Sequence, residues 1–161
     1  MSKPHRARKR FGQNFLVDES VIFQIVHSIM PSPHDNIIEI GPGLGAMTKP
    51  VLDIAKEMTA IELDRDLIEY LQTLPGLTVI NQDILKVDLA KLKKDERPLR
   101  IIGNLPYNIS TPIIFHLLQK AELIEDMHFM LQREVIERMA ASSGDSEFGR
   151  LSIMVQRYCE V

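Results

Sequence analysis

The residues most able to do chemistry are Asn104-Leu105-Pro106-Tyr107. An Asn side-chain carbonyl and a backbone carbonyl held rigid at a proline can accept the two hydrogens of an exocyclic amine, and a tyrosine ring gives the attached base a stacking face. Upstream, Gly41-Pro42-Gly43-Leu44-Gly45-Ala46 places three glycines where a chain can turn tightly and approach a ligand closely. The same residues also fit the dinucleotide fingerprint as Gly41-x-Gly43-x-x-Ala46. Glu62 stands 21 residues beyond Gly41, where an acid accepts both hydroxyls of a ribose. Asp83 can accept from an adenine amino group while Ile84 packs on the ring, although an aspartate there also suits the start of a turn. Turn and acids together favour an adenosine-containing cofactor without choosing which one.

Each of these groups must be held by something, and the hydrophobic pattern supplies it. Val21, Ile22, Ile25, Val26 and Ile29 follow helical spacing behind Asp18 as N-cap, and Met30-Pro31 closes the run. Short apolar runs at 36–40, 58–63, 77–81, 99–103 and 126–131 read as strands, and the segments 46–55, 65–74, 111–118, 133–141 and from Arg150 onward read as helices. Alternation of this kind predicts right-handed βαβ units and a doubly wound, parallel α/β sheet of Rossmann-like type, with strand order 3-2-1-4-5. Ligands of such sheets bind beyond the carboxyl ends of the strands, and every candidate above lies at or just after the end of a strand.

The chain has 161 residues, 45% hydrophobic and 25% charged, which suits one globular domain and excludes a disordered or disulfide-stapled chain. One cysteine cannot form an internal bridge, and no run of 18 apolar residues occurs, so a cytoplasmic protein with no membrane association is expected. The net charge of -3 conceals an arm: Lys3, Arg6, Arg8, Lys9 and Arg10 leave the remainder at -8. Clustered cations release counterions from nucleic acid, so this end is the expected RNA contact. His116 and His128 are expected to be packed or solvent-facing, and no His, Cys or acid cluster has metal-ligand spacing.

At these residues the sequence closely resembles the small-subunit (16S) ribosomal RNA adenine N6-dimethyltransferases of the KsgA type, relatives of the erythromycin-resistance methylases. The resemblance runs from Arg8 to the last residue through Gln13-Asn14-Phe15-Leu16, the turn at 39–48, Glu62, Asp83, Asn104 to Tyr107, Asn108-Ile109-Ser110-Thr111-Pro112 and Phe148-Gly149-Arg150-Leu151-Ser152. It implies S-adenosylmethionine as methyl donor, in the class I methyltransferase fold. Asn14, Leu16, Gly41, Gly43, Glu62, Asp83, Ile84 and Asn104 would line its site, and Asn104, Leu105, Pro106 and Tyr107 would hold the target adenine of small-subunit ribosomal RNA in a pre-ribosomal particle.

Members of that family continue through two further strands, a Pro-Pro-x-x-Phe segment and a helical domain, none of which is in this sequence. The expectation is therefore an arm with a cofactor-closing motif at 1–17 and a C-terminally incomplete methyltransferase domain at 18–161. Its fifth strand, left as an edge, would self-associate where the longer form is a monomer. Three rivals remain: a DNA adenine methylase, against which Leu105 in place of a proline argues; an NAD-dependent oxidoreductase, which leaves Asn104 to Tyr107 unexplained; and a non-catalytic RNA- or ribosome-binding module.

Overall fold

The computed structural model describes residues 18–161. The cations Lys3 to Arg10, and Asn14 and Leu16, lie outside the described residues. The described chain runs α1 (Glu19–Ile29), β1 (Asn36–Ile40), α2 (Thr48–Ala55), β2 (Met58–Ile61), α3 (Arg65–Leu71), β3 (Leu77–Ile80), β4 (Leu99–Asn104), α4 (Ser110–Leu118), β5 (Ile124–Met130), α5 (Arg133–Ala140) and α6 (Arg150–Tyr158). The five strands form one parallel sheet in the order β3-β2-β1-β4-β5, as the alternation predicts.

Local chemistry explains where elements start and stop. Asp18 accepts from the amides of Ser20 and Val21 at 2.9 and 3.2 Å and so caps α1. The sequence carries α3 to residue 74, but the structure ends it at Leu71. There the amides of Thr73 and Leu74 tighten onto the carbonyls of Tyr70 and Leu71, and Gly76 at φ 85° turns the chain into β3. An alanine Cβ at Gly76 would lie 2.1 Å from the Lys56 carbonyl oxygen, so this turn admits only glycine. The strand expected at 126–131 begins two residues earlier, at Ile124, beside a register shift at Leu99/Arg100.

Two cores sandwich the sheet, because successive strand residues point to opposite faces. Ile38, Ile40, Leu99 and Ile101 bury against Ile113, Ile114 and Leu117 of α4, Val135 of α5 and Leu151 and Val155 of α6. Ile37, Met58 and Ile102 bury on the other face with Val26 and Ile29 of α1 and Met47, Val51 and Leu52 around α2. β1 is buried along its whole length, as a central parallel strand must be. β5 is an edge strand, half-buried and paired only to β4 among the described residues. Among the described residues no helix is long and apolar enough to cross a membrane.

Candidate active site at the carboxyl end of the sheet

Register brings the ends of β1 and β4 together, since Ile40 pairs with Gly103. Gly41 follows at φ 66° and its amide donates to the Ile61 carbonyl at 2.9 Å, so the turn opens while still tied to β2. A Cβ on Gly41 would stand 4.0 Å from the Asn104 backbone oxygen. The glycine turn and the Asn104 tetrapeptide thus share one opening. Gly43 and Gly45 also take left-handed φ values, 58° and 82°, and the Lys49 amide closes the turn onto Gly45 at 3.0 Å.

Glu62 sits just past β2, 6% exposed, and is bound at both oxygens. Oε2 accepts from the Gly43 amide at 3.2 Å and Oε1 from the Asp64 amide at 2.9 Å. Burial pushes its carboxyl up, while these amides pull it down. Asn81 Nδ2 donates to the Glu62 carbonyl at 2.9 Å and fixes the peptide that carries the acid. Asp64 is buried and caps α3, accepting from the Asp66 amide at 3.1 Å.

Sequence reasoning missed a second buried carboxyl. Glu39, 2% exposed on β1, accepts from the hydroxyl of fully buried Thr48 at 2.5 Å, and so bridges the two ends of the glycine turn. Burial, opposed by the Thr48 hydroxyl and aided by neighbouring Glu62, leaves the Glu39 carboxyl pushed up to about 7. The signal available was an acid in an otherwise apolar buried strand, Asn36-Ile37-Ile38-Glu39-Ile40, which needs a partner wherever it lies.

Asp83 is half-buried and caps a 3-10 turn at Ile84–Lys86 through Oδ1, which accepts from the Leu85 amide at 3.0 Å. Ile84, expected on a ligand ring, is 5% exposed and belongs to the core of the α4 face. The exposed apolar surface beside the two acids comes instead from Leu63 and Leu85, 44% and 37% exposed. Leu105 is buried with its amide on the Met130 carbonyl at 3.2 Å, so it anchors its tetrapeptide to β5. Asn104 and Pro106 are half-buried, and Tyr107 is exposed. The Pro106 carbonyl accepts from the Ile109 amide at 3.2 Å, and a carbonyl oxygen has a second lone pair to offer.

Gly41, Gly43, Glu62, Asp83, Asn104, Pro106 and Tyr107 therefore lie at the carboxyl end of the sheet, whereas Ile84 and Leu105, both expected at the site, turn into the core. His116 Nε2 lies 3.1 Å from the Val87 carbonyl and His128 Nε2 3.1 Å from Asp126.

A family model described as ribosomal RNA adenine dimethylase matches residues 4–161. Proteins named ribosomal RNA small subunit methyltransferase A are similar: that of Marinomonas sp. is 55% identical over 99% of this chain and 62% of its own length. That of Pseudomonas syringae pv. syringae is 56% identical over 98% of this chain and 60% of its own. The chain thus spans about three fifths of the length of these relatives. Among solved structures, a dimethyladenosine transferase from Plasmodium falciparum superposes with TM-score 0.79 at 29% identity, covering 91% of this chain and 54% of that one. The 23S rRNA methyltransferase ErmE superposes with TM-score 0.69 at 28% identity, covering 88% and 55%. With the family model matching residues 4–161 and relatives 55–56% identical along nearly the whole chain, the chain belongs to the ribosomal RNA adenine dimethylase family.

Proposed function

We propose that this chain transfers methyl groups from S-adenosylmethionine to N6 of adenines in small-subunit ribosomal RNA, giving dimethyladenosine during ribosome assembly in the cytoplasm. The observation that carries the reading is Asn104-Leu105-Pro106-Tyr107 at the carboxyl end of β4, set against the glycine turn that ends β1.

The residues fit the cofactor. Glu62, with one oxygen on each of two backbone amides, keeps lone pairs for a ribose diol. Asp83 suits the adenine amino group, with Leu63 and Leu85 as apolar neighbours. Glu62 and Asp64 place carboxyl groups beside the turn. That favours a ligand carrying a sulfonium and an ammonium, and it opposes the pyrophosphate of a nicotinamide dinucleotide. Asn14 and Leu16 complete the proposed cofactor set, and Lys3, Arg6, Arg8, Lys9 and Arg10 the RNA contact.

When bound, S-adenosylmethionine supplies a methyl group on a positively charged sulfur. The protein's task is to make an adenine amine nucleophilic, because its lone pair is delocalised into the ring. The Asn104 side-chain carbonyl and the Pro106 backbone carbonyl accept its two hydrogens and draw it toward tetrahedral geometry, while Tyr107 stacks on the base. Leu105, anchored to β5, and the Ile109 amide on Pro106 hold these acceptors in place. The proton lost after methylation passes to solvent, so no strong general base is needed.

Incubation with undermodified small-subunit particles and labelled S-adenosylmethionine, then digestion and mass analysis, tests the reading. Label in N6-methylated adenosine supports it. Binding to the particles without label transfer favours a non-catalytic module, and preference for NAD over S-adenosylmethionine in a titration favours an oxidoreductase.

A further inference from the structure

The densest polar cluster in the described residues lies at the opposite end of the sheet from the proposed active site. Arg100, near the amino end of β4, is 8% exposed. Its Nε and Nη2 grip both oxygens of Asp126 on β5, each at 2.9 Å. Nη1 donates to Asp35 at 2.8 Å and to the Met30 carbonyl at 3.3 Å, and Nη2 donates to the Ile29 carbonyl at 2.5 Å. Asp126 also meets His128, and Asp35 accepts from the Ser32 amide at 2.8 Å. One guanidinium therefore joins β4, β5, the link before β1 and the last carbonyls of α1, where a cation is favoured by the helix dipole.

The joint leads toward the glycine turn. Ile29, whose carbonyl Arg100 holds, shares a buried cluster with Val26, with Ile102 two residues along β4, and with Met47 at the start of α2. Met47 is the N-cap of α2, and its neighbour Thr48 closes the turn onto Glu39. Protein interiors are close-packed, so a shift of the end of α1 is felt across this shared cluster, which includes the Met47 that opens α2 behind the turn.

We propose that Arg100 is a positioning residue for the glycine turn, acting through the buried cluster that the end of α1 shares with Met47. A buried arginine that acted only on global stability would speed exchange at the turn no more than a distant cavity of equal destabilisation does. A positioning residue loosens the turn beyond its effect on global stability. Its bearing on cofactor affinity rests on the methyltransferase reading above, whereas its effect on the turn does not.

The test is amide hydrogen exchange on the whole chain, read at Gly45 and Lys49. Val155→Ala, a cavity on the opposite face of the sheet, serves as a reference of comparable thermal destabilisation. Arg100→Met is expected to speed exchange at these amides tenfold or more at a temperature where the fold persists, with Val155→Ala within twofold of the parent. Arg100→Lys, which keeps the charge but loses the planar fork, is expected to fall between. Should Arg100→Met fail to fold, Arg100→Lys and Asp35→Asn carry the comparison. Exchange at the turn that is unchanged in the Arg100 variants, or that rises equally in Val155→Ala, overturns the proposal. A parallel titration with S-adenosylmethionine separates the two readings: a parent that binds none refutes the proposed function and leaves the exchange result to decide the role of Arg100.

Discussion

Glu62 has both carboxylate oxygens fixed by backbone amides, so under the proposed function it would meet the cofactor ribose with its orientation already settled. Charge-assisted hydrogen bonds contribute about 1.5 to 3 kcal/mol, so Glu62→Ala should weaken S-adenosylmethionine binding roughly 10- to 100-fold by calorimetry. An unchanged affinity would place the ribose elsewhere. Glu39 makes a different prediction. Its folded pKa, raised to about 7 from 4.5, means that the native state keeps this proton to higher pH than the unfolded chain does. The associated stability is fully present below about pH 4.5 and is lost as pH rises through about 7, with Glu62 shifted in the same direction. The unfolding free energy from urea titrations should therefore fall between about pH 5 and 7.5, by up to about 3 kcal/mol at about 1.4 kcal/mol per pKa unit. In Glu39→Gln the fall should be smaller; an equal slope in both proteins would assign the loss to other groups.

At the scale of elements, the close approach of β1 and β4 is what sets the opening. A Cβ on Gly103 would meet the Ile40 carbonyl oxygen at 2.7 Å and Leu105 Cδ2 at 3.2 Å, so Gly103→Ala must part the two strands or shift the residue just before Asn104. Overpacking of this kind costs about 1 to 3 kcal/mol, to be read by urea denaturation. The initial rate of methyl transfer should fall more than cofactor affinity, and a variant with parental stability and rate would show that the strands have slack.

Strand order and the placement of Gly41, Glu62, Asp83 and Asn104 at the carboxyl ends of the strands were legible in the sequence, because buried parallel strands read as apolar runs that stop at these polar and glycine residues. The 3-10 turns at Ile84–Lys86 and Leu89–Leu92 were not, since three or four residues carry no periodicity; their only trace is an aspartate cap, Asp83 and Asp88. For the same reason Ile84 reads as a ligand contact when the turn in fact rotates it into the core. Long-range polar pairs such as Glu39 with Thr48 and Arg100 with Asp126 leave no spacing signal, because their partners are brought together only by the folded sheet.

Across the whole molecule, charge is divided between a basic arm and a body of -8. Deleting the first ten residues should weaken RNA binding and flatten its salt dependence by up to roughly 3.5 log units per log unit of salt, at about 0.7 for each of five cations. A salt slope equal to the parent's would show that the arm does not meet phosphate. In the proposed reaction Asn104 grips the amine that receives the methyl group. This grip is read by the single-turnover rate of label transfer to undermodified small-subunit particles for Asn104→Ala beside the parent, with S-adenosylmethionine affinity measured on the same proteins. Dimethyladenosine formation should fall by a far larger factor than cofactor affinity does; transfer at the parental rate would show that Asn104 does not hold the amine.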